Sequence, residues 1–266
     1  MAIPLSKIRH FLVVLIVIGT MMNATGALAR EDDDEKNSDI TTPLDPPRPG
    51  VNATLLFTEL LTHNELRNNA LLGYKEQRTY EVTDMAGKVR AQQSGQMEYH
   101  APDKKAFVTT SESGSGVVRH LALRPLIASE IEAASGKQHH DTSITPANYT
   151  FELVGEQQVG PYRCYVVQAT PKRPDKYLFE GKVWIDSEDY AIVRIAGHPA
   201  KKLSFWIERA DFVREYQRID GFWLPKKDET FVTVRLYGKK ILIIDHQNYD
   251  LTGARKNEES AQNSDN

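Results

Sequence analysis

From Tyr74 to Tyr249 most of the chain alternates apolar and polar residues, in runs separated by short turns rich in Gly, Pro, Asp and Lys. This alternation constrains the fold more than any other feature. Successive side chains of a strand point to opposite faces, so such runs build sheets with one buried and one wetter face. "GKVWIDSEDYAIVRIAGHP" (181–199) shows the unit: two alternating runs joined by an acidic turn. Runs of this kind predict strands at 74–82, 88–99, 106–112, 149–158, 162–170, 177–186, 191–196, 202–209, 212–219, 229–237 and 240–249. Their short connections make a meander the simplest topology. Proline falls mainly between the runs, as real strands require.

Two segments follow a helical period instead. "NATLLFTELLTHNELRNNALLGY" spaces Leu56, Leu60, Leu61, Leu66 and Ala70 as an amphipathic helix, with Asn52 as its cap and Gly73 as its stop. "LRPLIASEIEAAS" (123–135) gathers Leu126, Ile127, Ile131 and Ala134 on one side. A large antiparallel sheet must bury its apolar face against something, and these helices are available to cover it. The expected class is mainly β (α+β): a curved, half-open antiparallel barrel of about ten to eleven strands with a helical lid. A closed barrel is the alternative.

The ends have a different character. Lys7, Arg9 and His10 precede the apolar run "FLVVLIVI", and small residues follow at Ala27 and Ala29. This is the pattern of a cleavable signal over 1–29, since the run is well short of the ~20 residues of a spanning helix. An uncleaved anchor is the rival reading. The acidic, then proline-rich stretch 30–50 reads as a disordered linker and 253–266 as a loose polar tail, leaving 51–252 as the folded domain. The net charge of −3 gives no general case for nucleic acid. The lone Cys164 cannot form an internal disulfide and reads as a buried small hydrophobe.

Catalytic and metal motifs are weak. His139 and His140 next to Asp141 lack the spacing of a metal site and read as a surface pair, while His120, His198 and His246 are isolated. Asp186, Glu188 and Asp189 sit where a turn uses acidic side chains to satisfy backbone donors. Asn52 and Asn148 begin glycosylation sequons short enough to arise by chance. No catalytic residue, metal or cofactor is expected. What remains is apolar material on alternating strands: Val183 and Ile185 share one face, and Leu203, Phe205 and Ile207 share another stripe. Most of it must be core, but a half-open barrel can enclose more apolar surface than its lid fills. These five residues are the expected lining of a ligand cavity.

The signal without a lipid-attachment cysteine, the helix running into "GYKEQRTYEV", the pair "VWIDSEDYAIVRI" and the later "GFWLP" resemble the outer-membrane lipoprotein-sorting (LolA-like) superfamily over 51–252. The resemblance implies a Gram-negative periplasmic protein with a curved half-barrel and a helical lid that shelters acyl chains of lipids or lipoproteins. It implies a non-enzymatic, monomeric carrier, with envelope membrane proteins as donor or acceptor. A sensor or scaffold module that binds an envelope protein through the same fold is the alternative.

Overall fold

A computed structural model describes residues 43–134 and 143–252. Ten strands form one antiparallel sheet in the order β3-β2-β1-β10-β9-β8-β7-β6-β5-β4. They are β1 (Gly73–Asp84), β2 (Val89–His100), β3 (Lys104–Gly114), β4 (Tyr149–Val159), β5 (Tyr162–Pro171), β6 (Phe179–Asp186), β7 (Ile192–Pro199), β8 (Ile207–Ile219), β9 (Phe222–Val234) and β10 (Gly238–Leu251). β3 and β4 are the two edges and do not pair with each other, so the sheet curves without closing. The expected half-open, mainly β architecture is the one the chain forms.

Helix α1 (Ala53–Ala70) starts where its sequence says: the Asn52 side chain accepts the Leu55 N–H at 2.9 Å. It ends before Gly73, which belongs to β1. A Cβ at Gly73 would lie 2.6 Å from the Tyr99 carbonyl oxygen, so this glycine serves the close approach of β1 to β2 and does not cap the helix. After β3 the chain forms a short α2 (Gly116–Val118), a π-helical turn (Arg119–Leu123) and α3 (Arg124–Ala134).

Two expected boundaries are corrected. The alternation of "KLSFWIER" does not make a separate strand, because Ser204 Oγ accepts the Trp206 N–H and holds 204–206 in a turn. β8 begins only at Ile207 and absorbs the run expected at 212–219. The connection left between the expected strands 212–219 and 229–237 shrinks to Asp220 and Gly221, both at positive φ, and Phe222 already starts β9. Pro225 is tolerated inside β9 because it lies opposite a bulge at Glu215/Tyr216.

Residues 43–50, the end of the stretch read as a linker, lie along edge strand β4. Asp45 and Glu156 exchange both backbone hydrogen bonds at 2.9 Å, and Arg48 and Arg163 both reach the Glu156 carboxylate. Gly155 makes room for this strap, since a Cβ there would meet the Asp45 carbonyl at 2.5 Å. The strap covers part of an edge that would otherwise offer unpaired backbone groups.

Candidate functional site: the concave face

One row of side chains can be followed across the sheet by register: Leu153, Val167, Val183, Ile195, Arg214, Asp228, Ile244, Tyr80 and Gln93. All face the side on which α1 and α3 lie. The row is apolar at one end, ionic in the middle and mixed at the other, which divides the concave face into an apolar basin, a charged strip and a second core.

The basin is covered by α1. Leu56, Phe57 and Leu60 are buried against Val167, Val183, Ile185, Ile195, Phe212 and Val232, and Phe57 stacks on Phe151 at 3.6 Å between ring centroids. Of the expected lining residues, Val183, Ile185 and Ile207 are buried in this cluster and Leu203 packs on it half-buried. Phe205 is not with them: the turn at Ser204 throws it outward, 68% exposed. Val193 and Ile195, two apart in "AIVRIA", also part company. A bulge in β7 leaves Val193 as an extra residue on the convex face, among Cys164, Val166 and Trp184, while Ile192 and Ile195 face the basin.

The basin wall has an opening between β7 and β8. These strands pair only where residues 194–197 face 212–215. Beyond Gly197 they part, leaving a hollow of about 360 Å³ lined by His198, Pro199, Lys201, Lys202, Leu203, Ile207 and residues 208–211. Leu203, Ile207 and Ala210 belong to both the hollow and the basin cluster, so the parted strands lead from solvent to the apolar interior.

The acidic turn between β6 and β7 holds the lid. Asp186 Oδ2 accepts the N–H groups of Glu188 and Asp189, as turn chemistry requires. That geometry presents the Asp189 and Tyr190 carbonyls to Arg67 on the last turn of α1, whose guanidinium donates to them at 2.9 and 3.3 Å. Asp189 in turn accepts the Trp223 indole N–H at 3.0 Å and pairs with Arg218.

The charged strip was not foreseen. Glu76 and Arg78 on β1, Arg214 on β8, Asp228 on β9 and His246 on β10 are all buried, and Glu130 reaches them from α3. Arg78 pairs with Glu76 and with Glu130 (2.6 Å), Lys105 reaches Glu130 at 3.0 Å, Arg214 pairs with Asp228 at 2.6 Å, and His246 Nδ1 meets Glu76 at 2.9 Å. Burial pushes the Glu76 carboxyl up, but Arg78 and then His246 outweigh it and hold it at about 2. Burial pulls the His246 imidazole down, yet Glu76, helped by Asp228, brings it above its ordinary value. The signal was present in the sequence: each charged residue is in phase with its strand's apolar face, Glu76 and Arg78 with Tyr74 and Tyr80, His246 with Leu242 and Ile244. Reading His246 as isolated missed Glu76, 170 positions away.

Elsewhere, burial pushes the Cys164 thiol up to about 12, and Asn148 of the second sequon is buried, donating to the Ser143 carbonyl and accepting from Arg173. His139, His140 and Asp141 lie outside the described residues. Among the described residues, no helix is long and apolar enough to cross a membrane.

A family model described as an uncharacterized protein matches residues 138–252, which include β4 to β10. No curated protein matches the sequence. Among solved structures, a DUF1329 family protein of Desulfovibrio piger is 13% identical with a TM-score of 0.42, the match covering 78% of this chain and 93% of that one. An outer-membrane lipoprotein-sorting domain of Vibrio parahaemolyticus is 12% identical with a TM-score of 0.37, covering 73% and 91%. A LolA superfamily protein of Nitrosomonas europaea is 8% identical with a TM-score of 0.34, covering 76% and 94%.

Proposed function

We propose that the chain is a non-enzymatic carrier that shelters the acyl chains of a lipid or lipoprotein in the basin beneath α1, acting in the periplasm after export. The observation that carries this reading is the apolar basin closed by Leu56, Phe57 and Leu60 of one helix and opened sideways between β7 and β8. Val183 and Ile185 form its floor, and Leu203 and Ile207 its mouth. The basin is filled by α1 side chains in this structure, so a ligand enters by displacing Phe57 and its neighbours. Apolar contacts then exchange for apolar contacts, and the gain comes from the ligand's own chains leaving water, at about 25 cal/mol per Å².

Mass spectrometry of lipids extracted from protein purified from its own cells tests the reading. Acyl lipid is expected with the natural sequence and lost from Leu203→Glu, which puts a charge at the half-buried mouth without touching the floor. Protein that carries no lipid, or a Leu203→Glu variant that keeps it, refutes the proposal and leaves the sheet for a protein partner.

A further inference from the structure

Phe205 and Leu236 are large apolar side chains held in solvent, 68% and 74% exposed, and they belong to neighbouring loops. The Arg235 N–H donates to the Trp206 carbonyl at 2.8 Å, which ties the 200–206 loop to the β9–β10 hairpin tip. The Arg235 guanidinium lies 4.3 Å from the Phe205 ring centroid, and Trp206 packs against Phe205 edge-on at 5.5 Å. The two joined loops therefore carry a braced aromatic and an exposed leucine.

Leu236 has φ +70, in the left-handed region. It sits in the turn closed by the Tyr237 N–H to Val234 carbonyl bond, where glycine or asparagine would be at ease. An exposed leucine there strains the backbone and gains no burial within the chain.

Charge is distributed to match. Segments 200–208 and 234–240 carry Lys201, Lys202, Arg235, Lys239 and Lys240 against one acidic residue, Glu208, in a chain whose net charge is −3. Lys201, Lys202 and Lys239 are exposed around the apolar tip. Apolar side chains ringed by lysines fit a surface that is anionic outside and apolar beneath, as an anionic bilayer is. An acidic protein would satisfy the lysines but gives no reason for a strained leucine at the apex.

We infer that this tip is a docking surface for anionic phospholipid membranes, with Phe205 and Leu236 entering the interface and the lysines facing the headgroups. Lys201, Lys202 and Leu203 also line the opening between β7 and β8, so docking sets that opening against the bilayer. The inference does not depend on what the basin holds.

Trp206 supplies the probe, because Trp184 is fully buried and Trp223 is packed against Tyr162 away from the tip. The full chain is mixed with vesicles of brominated phosphatidylcholine, with and without brominated phosphatidylglycerol, and tryptophan quenching is followed. Quenching is expected on the anionic vesicles only, and it should fall with added salt. Trp206→Phe should abolish it, whatever other parts of the chain touch the vesicles. Lys201→Glu with Lys202→Glu should weaken it at least about tenfold, at roughly 1 kcal/mol per surface cation. Phe205→Ser with Leu236→Ser should remove it at physiological salt. Lys201, Lys202, Phe205 and Leu236 are exposed and Trp206 is half-buried, and an unchanged circular dichroism spectrum confirms the fold of each variant. No quenching, equal quenching on phosphatidylcholine alone, or quenching that survives Trp206→Phe overturns the inference. The lipid content of the purified protein is read separately, so either proposal can fail alone.

Discussion

Glu130→Gln isolates the charge that ties α3 to the sheet. Glu130 Oε1 accepts from Arg78 Nη1 at 2.6 Å and from Lys105 Nζ at 3.0 Å, and Oε2 accepts from Tyr80 Oη at 3.1 Å. The side chains of Arg78, Lys105 and Glu130 are 1%, 6% and 9% exposed, so water cannot replace a lost partner. Glutamine keeps the shape but replaces one acceptor oxygen with an NH2 donor, and it removes the charge that Arg78 shares with Glu76 and that Lys105 faces. Removing one member of such a buried group costs about 3–5 kcal/mol. At roughly 2–4 °C per kcal/mol for a domain of this size, the lower figure lowers the Tm by about 6–12 °C. Urea unfolding followed by tryptophan fluorescence measures the loss. Glu112→Gln, at the exposed pair with Arg124, should cost less than about 1 kcal/mol. Adding Lys105→Met to Glu130→Gln removes the surplus cation, so the double variant should be at least about 1 kcal/mol more stable than the sum of the single effects. A Glu130→Gln cost below about 1 kcal/mol, or additive effects in the double variant, would refute the description of the strip as a balanced buried network.

Arg67→Ala removes the donor that holds the last turn of α1 to the Asp189 and Tyr190 carbonyls. Charged hydrogen bonds of this kind contribute about 1.5–3 kcal/mol each, less here because the site is only half-buried. Amide exchange in α1 should therefore speed up about tenfold or more, with β6 and β7 unchanged; equal protection in both proteins would contradict the latch. Stability should also follow pH with opposite limbs. His246, whose folded pKa is raised, contributes fully below its unfolded value near 6.5 and loses that contribution as pH rises through the folded value. Glu76, whose folded pKa is lowered, contributes above about 4.5 and loses it as pH falls toward about 2. Maximum stability is expected at about pH 4.5–6.5, and His246→Gln should flatten the alkaline limb and make the acid one shallower, because His246 helps Arg78 hold the Glu76 carboxyl down. An unchanged alkaline slope in that variant would show that another group sets it.

The alternation carried most of the sheet because side-chain direction in a strand is set locally. The same locality explains its errors. "KLSFWIER" spaces Leu203, Phe205 and Ile207 two apart, but one serine hydroxyl taking the Trp206 N–H turns the chain, and Phe205 leaves the stripe it shared on paper with Ile207. The bulge at Val193 similarly inverts one residue without any mark in composition. Asp186 was legible as turn chemistry, whereas the use of that turn by Arg67, more than a hundred residues earlier, was not. The charged strip needed pairing across β1, β10, β9 and β8 before Glu76, His246, Asp228 and Arg214 became neighbours. Periodicity could flag each as a charge on an apolar face, but it could not show that they neutralise one another.

The strand order also bears on the timing of folding. β1 to β3 form one contiguous meander and β4 to β10 another, and the two are joined in the sheet by the pairing of β1 with β10, the first and last strands. A chain made from its N-terminus cannot complete this seam until residues 238–251 are available. Before then β1 exposes one unpaired edge, and the ionic strip lacks His246 beside Glu76. The last strand thus acts as a clasp: the two meanders become one sheet only when it is in place.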